Sequence, residues 1–220
     1  MNRTAKRPLA HGDIQNPQNV LVAGILLVVF ASVIALIAGN PALAFWTFMG
    51  AVIYVAVYTI WLKPRTTINI VIGGAAGSCA VISGGAAVGA WSAWGVLILA
   101  ALVFVWTPVH FWALALAYRQ DYIKADYPML PARVPENTAA RWTAFHTLLT
   151  AVAGIALGFW PAIQWIYLIP ITIATIILIM RTLSLLAAPA ERKPAFALFH
   201  FSNLYLTLVI VFVIIATAMR

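Results

Sequence analysis

The stretch "VFVWTPVHFWALALAYRQDY" (103–122) decides how this chain folds. It is the second half of an apolar run from Ser92 to Tyr118 that carries no charge until Arg119. A helix of that length crosses a bilayer core of about 30 Å. The rest of the chain repeats the pattern. Hydrophobic residues make up 64% of it and charged residues 8%, against roughly 25% charge in a water-soluble domain. The chain is therefore an integral membrane protein built from helices. Period-2 alternation is absent, which argues against a β-barrel.

Outward from this stretch, seven spanning segments are expected: Val20–Ala38, Ala42–Leu62, Thr67–Ile82, Ser92–Tyr118, Thr143–Trp160, Ile163–Leu186 and Ala195–Met219. The third has an alternative end further into the Gly-rich stretch that follows. A cleaved signal peptide ending near "PALAF" is a weaker alternative for the start, because the preceding apolar run is too long. The basic residues fall in alternate connections. Arg3, Lys6 and Arg7 precede the first span, Lys63 and Arg65 follow the second, and Arg119, Lys124, Arg133 and Arg141 follow the fourth. Arg181, Arg192 and Lys193 flank the sixth connection, and only Arg220 lies on the opposite side. The positive-inside rule then makes residues 1–19 and the loop 119–142 cytoplasmic and puts the C-terminus outside, within one domain of residues 1–220.

The net charge of +8 does not mark a nucleic-acid binder, because the basic residues only edge the apolar runs. No Asp, Glu, Lys or Arg sits mid-bilayer, which argues against a proton-coupled transporter. Cys79 is the one cysteine and reads as a small helix residue. The run "GGAAGSCAVISGGAAVGA" (73–90) spaces Gly73 from Gly77 and Gly85 from Gly89 by one helical turn, a signal of close helix packing.

Chemistry is expected at the cytoplasmic mouth. All five acidic residues lie on that side, two of them Asp121 and Asp126. Pro108 removes a donor inside the fourth helix and is expected to kink it. If that helix runs on, Thr107, His110 and Asp121 share one face, with His110 and Asp121 roughly 16 Å apart along the axis. His110 has two readings: a histidine bonded to a neighbouring carbonyl, or a group facing a ligand. Asp121 and Lys124 would be helical neighbours. Asp121 and Asp126 converge only if the chain turns between them, and the pair reads either as solvated loop charges or as a cation site. Mg²⁺ takes few carboxylates and fills its shell with water and phosphate oxygens. Lys63, Arg65 and Arg119 could face the same phosphates, or serve topology and contacts to anionic membrane lipids.

Four segments in order, "RTAKRPLAHG" (3–12), "YTIWLKPRTTINIVIGGAAG" (58–77), "WTPVHFWALAL" (106–116) and "DYIKADYPMLP" (121–131), closely resemble the protohaem IX farnesyltransferases (haem O synthases) of the UbiA-type intramembrane prenyltransferases. The last third resembles them in hydropathy alone. The resemblance implies an all-α bundle of nine helices around a cavity open to the cytoplasm and the lipid. It implies Mg²⁺, farnesyl diphosphate and haem B as cofactor and substrates, a farnesyl transfer to a haem vinyl group, and a partner enzyme converting haem O to haem A. It implies catalytic roles for Asp121, Lys63 and Arg65, and metal binding by Asp121 and Asp126. Arg3, Arg7, Lys63, Arg65, Arg119 and Lys124 would bind diphosphate, and His110, Asn69 and Tyr58 would lie on the acceptor side. The family carries an N-x-x-x-D-x-x-x-D motif and two helices just before the Arg-Thr segment, so this chain is expected to lack them. Gln120, Asp126, Val109 and "CAVISGG" (79–85) depart from the family pattern. An enzyme with a quinone precursor or lipid acceptor, an inactive haem- or prenyl-lipid-binding relative and a small transporter are the alternatives.

Overall fold

Two Asn-Pro doublets set the first long helices. Asn16 caps α2 (Pro17–Ile37) by accepting from the Gln18 amide, and Asn40 caps α3 (Pro41–Val52) by accepting from Leu43 at 2.9 Å. Proline suits the first turn, where its missing N–H would have no partner. The Asn40 amide also donates to the Ala86 carbonyl at 2.7 Å, which ties this turn to the far end of α4 (Asn69–Ala87). The computed structural model describes residues 7–14, 16–160 and 164–219, and within them the fold is all helix.

A short turn, α1 (Pro8–His11), comes first and ends at Gly12, whose φ of +92° only glycine adopts freely. After α3 the chain continues without a break as a π-helix, Ile53–Leu62. Then follow α4 (Asn69–Ala87), α5 (Trp94–Ala117), the short α6 (Arg119–Lys124) and α7 (Leu130–Arg133), α8 (Glu136–Leu157), α9 (Gln164–Ala187) and α10 (Arg192–Ala218). Helices α5, α8, α9 and α10 form a four-helix bundle, and α4, α3 and α2 extend from α5 in sequence order. Six helices are long and apolar enough to cross a membrane, α3 counted together with its π-helical half. Their exposed faces are Leu, Ile, Val and Phe, as lipid contact requires.

Helix α8, expected as a span, is not among these six, and it inverts the soluble pattern. Its buried face carries Thr143, His146, Thr147 and Thr150, while Trp142, Phe145, Leu148 and Val152 are exposed. The polar row lowers its hydropathy below that of the other spans, and it hydrogen-bonds within the bundle: the Thr147 and Thr182 hydroxyls lie 3.1 Å apart, and Tyr167 donates to the Gly154 carbonyl at 2.9 Å. Such bonds between helices hold a bundle together where lipid removes the hydrophobic drive.

Three sequence expectations shift. The fifth span begins at Glu136 rather than Thr143, because Pro135 starts the helix; most of the expected loop 119–142 is therefore helical. The third span runs on through the Gly-rich stretch to Ala87. The helix carrying His110 does not continue to Asp121: Tyr118, with φ −116° and ψ 29°, breaks it after Ala117. Pro108 does not end α5. It leaves the carbonyl of Phe104 without a helical donor, and Gly74 of α4 lies so close beneath that a Cβ there would be 3.0 Å from the oxygen. The glycine run is thus a packing surface.

Candidate active site at the mouth of the bundle

The π-helix turns Tyr58 and Lys63 to the mouth. Its five-residue repeat is visible in the Lys63 amide, which donates to the Tyr58 carbonyl at 2.8 Å, and in the Thr59 hydroxyl, which donates to Tyr54 at 2.7 Å. Helices of this kind are rare and cluster at functional sites. The ring of Tyr58 rests against Gly73, where any Cβ would stand 2.7 Å from a ring carbon. The Lys63 ammonium lies 5.6 Å from the centre of the Tyr58 ring and 5.5 Å from that of Tyr127, close enough for cation–π attraction.

Lys63 is half-buried and has no carboxylate partner among the described residues. Burial, and then the nearby positive charge of Arg7, push its pKa below the ordinary value of 10.5. Two cations thus repel each other at one place without a neutralising group. Beneath them Ile70, Ala115, Tyr122 and Met129 form a small core against Tyr58 and Tyr127. Asn69 is fully buried beside it. Its amide nitrogen donates to the Thr66 carbonyl at 2.6 Å, and its Oδ1 has no partner among the described residues.

Asp121 sits on α6, one residue before Tyr122, and lines a cavity of about 450 Å³ bounded by Arg119, Glu136 and Arg192. Its carboxylate has neither an ion pair nor a side-chain hydrogen bond among the described residues.

Most of the other expected residues stand elsewhere or bond elsewhere. The Arg65 guanidinium folds back onto the carbonyls of Ile60 and Trp61 at 2.8 and 2.9 Å and closes the π-helix. Arg119 clamps the loop, through the carbonyls of Pro131 and Val134 and the Glu136 carboxylate at 2.8 Å. Asp126 adopts φ +51°, is 89% exposed and pairs with Arg133 at 2.7 Å. The chain does turn between Asp121 and Asp126, but the turn points Asp126 outward. Lys124 is exposed and forms no ion pair with Asp121. Arg3 lies outside the described residues. His110 is at the seam of α5 and α10, stacked between Trp106 and Phe199 at 4.8 and 4.5 Å, with Nδ1 3.1 Å from the Ser202 hydroxyl.

Sequence reading missed Tyr127 and Tyr122, whose signal was the pair of aromatics flanking the turn after Lys124, and Arg192, which read as a topology residue. Lys63 and Arg7 thus gather with Tyr58 and Tyr127, while Asp121 faces the cavity bordered by Arg119, Glu136 and Arg192.

Comparison with known proteins gives the family. The chain matches the UbiA prenyltransferase family over residues 1–218. It is 41% identical over 215 residues to a curated protoheme IX farnesyltransferase of Saccharolobus islandicus, covering 98% of this chain and 74% of the relative. The corresponding protein of Sulfolobus acidocaldarius is 41% identical over 216 residues, and that of Metallosphaera sedula 37% over 215, with the same coverage. No solved structure matches. With a family match along nearly the whole chain and a charged mouth on a lipid-facing helix bundle, this protein belongs to the UbiA prenyltransferase family.

Proposed function

We propose that this enzyme transfers the farnesyl group of farnesyl diphosphate to a vinyl group of haem B, giving haem O. The observation that carries the reading is the 41% identity, sustained over 98% of the chain, to proteins named for that reaction. Both substrates are amphiphiles with apolar bodies and anionic heads, which suits a lipid-embedded site with a cationic mouth.

In this reading Lys63 and Arg7 grip the diphosphate and stabilise the charge it gains as the allylic C–O bond breaks. Tyr58 and Tyr127 face the positive carbon left behind. The apolar floor of Ile70, Ala115 and Met129 keeps water from it. The vinyl π electrons close the new C–C bond, and water adds to the carbon next to the macrocycle with loss of a proton. Asn69 and its free Oδ1 lie on the acceptor side.

UbiA prenyltransferases use Mg²⁺ with the prenyl diphosphate. Among the described residues no group of three His, Cys, Asp or Glu side chains gathers as a metal site. Asp121 alone fits the ion, because Mg²⁺ binds through one or two carboxylates and completes its shell with phosphate oxygens and water. When bound, the metal neutralises the leaving diphosphate. Arg65, Arg119, Lys124 and Asp126 act around this centre, Arg65 and Arg119 by fixing the helix end and the loop that shape it. Residues 1–220 act as one domain, with the N-terminus and the Asp121 loop in the cytoplasm and the C-terminus outside. The side that twelve of the thirteen basic residues share supports that orientation. The product then passes to an enzyme that oxidises haem O to haem A.

The test is the purified chain in lipid nanodiscs with Mg²⁺, farnesyl diphosphate and haem B. Haem O is expected by chromatography and mass spectrometry. Turnover of farnesyl diphosphate with a different acceptor, and none with haem B, would overturn the assignment.

Lys63 supplies a pH signature. Its depressed pKa means that its charge is lost at a lower pH than an ordinary lysine's. The KM for farnesyl diphosphate is therefore expected to rise with pH from below 10.5, as the ammonium deprotonates. Lys63→Arg should move that limb to higher pH, since a guanidinium stays charged. An identical alkaline limb in the two enzymes would remove Lys63 from the diphosphate.

A further inference from the structure

Helix α10 carries a stripe that a lipid-facing surface does not explain. Arg192, Phe196, His200, Asn203 and Thr207 recur at spacings of four, four, three and four, so they share one face. Arg192, His200, Asn203 and Thr207 are all exposed. A histidine on a membrane-spanning helix normally faces a partner, a cavity or a ligand.

The upper half of the stripe is organised. The Arg192 guanidinium lies over two rings set edge to face, 4.8 Å from the centre of Tyr118 and 4.9 Å from that of Phe196. It forms no ion pair among the described residues, and it borders the cavity that Asp121 lines. On the next turn the His200 ring stacks on Phe196 at 5.9 Å and 18°, and meets Phe199 edge-on at 5.2 Å. Its ring nitrogens have no hydrogen bond among the described residues. Two parts answer features of a metalloporphyrin: an imidazole for the iron and a guanidinium for an acidic side arm. Arg192 and His200 are eight residues apart, about 12 Å along the axis, which matches the reach from a porphyrin's metal to a guanidinium holding its propionate. His110, the histidine singled out by sequence, is a poorer ligand. Ser202 occupies its Nδ1, and Trp106 and Phe199 cover its faces.

We propose that the acceptor haem docks on this face of α10, with His200 as an axial ligand to the iron and Arg192 gripping a propionate carboxylate. The proposal rests on the haem reading of the acceptor and extends it to residues at the α10 face. It places the macrocycle beside the mouth that holds Asp121, with its vinyl edge free to meet the allylic cation.

The experiment is a titration of the full chain in nanodiscs with ferric haem B, followed by its Soret band, alongside steady-state kinetics. The wild type is expected to give an imidazole-ligated spectrum and His200→Ala to lose it, while His11→Ala, on the exposed α1 turn, keeps it. Arg192→Gln should weaken haem binding about tenfold, the loss of one charge-assisted hydrogen bond. An unaltered spectrum in His200→Ala, with unaltered haem affinity in Arg192→Gln, overturns the site even if haem O is made. A wild type that binds haem through His200 yet makes no haem O upholds the site and overturns the reaction. A wild type that binds no haem overturns both.

Discussion

An Asp121→Ala enzyme is expected to lose roughly 10³-fold in turnover, the scale set by removing a group that stabilises developing charge, and to fold as the wild type does. Both halves follow from one observation. The Asp121 carboxylate holds nothing else in the structure: it has no ion pair and no side-chain hydrogen bond among the described residues. Its removal therefore leaves no buried partner unsatisfied, and the thermal midpoint should move little. Asp121→Asn keeps the shape and loses the charge, so it should fall almost as far. Asp126→Ala is the matched control. That side chain is exposed and tied to Arg133, and an exposed pair of this kind contributes about 0–1 kcal/mol, so its turnover should stay within about twofold. Steady-state rates with saturating Mg²⁺ distinguish the cases. Retained activity in Asp121→Ala would show it to be a loop charge. Equal losses at both aspartates would mean that the loop as a whole, rather than Asp121, is what matters.

The contrast between these aspartates shows what the sequence could convey. Hydropathy located the spans, because twenty apolar residues in lipid have one good solution. The row of small residues on α4 was legible as packing for the same reason, and Gly74, Gly77 and Gly85 do meet α5, at Phe104, Val103 and the Trp91–Val96 turn. Boundaries were harder where polar residues turn inward. The buried threonines and His146 of α8 are its bundle face, and the string does not show which way they turn. The site was legible by residue type but not by commitment. Nothing in the string tells that Arg65 folds onto its own helix, that Arg119 clamps a loop, or that Asp126 is held by Arg133. These are tertiary bonds between residues whose charges look equally free. The π-helix is invisible for a different reason. Its extra residue per turn is fixed by how Tyr58 packs on Gly73 and where Lys63 must point, and helix propensity does not distinguish the two registers.

The largest structural effect is expected at Gly154 of α8. A Cβ there would land on the hydroxyl of Tyr205, a fully buried ring on α10. That hydroxyl sits 3.2 Å from the Thr175 hydroxyl of α9, and the Gly154 carbonyl accepts from Tyr167 of the same helix. One glycine is thus the meeting point of α8, α9 and α10, at a depth where no water can replace a broken bond. Gly154→Ala forces the ring out of line and breaks the Tyr205–Thr175 contact. Overpacking of this kind costs about 1–3 kcal/mol, and with the lost hydrogen bond the midpoint should fall by roughly 5–10 °C for a chain of this size. The clash has a single offending atom, which makes it testable. Tyr205→Phe removes the hydroxyl and costs about 1 kcal/mol by itself. Combined with Gly154→Ala it should recover much of the loss, so the double variant is expected to be more stable than Gly154→Ala alone. That sign is the reverse of additive damage, and a double-mutant cycle of melting in detergent reads it directly. Strict additivity would mean that α8 shifts as a body to accommodate the methyl and that the Tyr205 hydroxyl is not what fixes the spacing of the bundle.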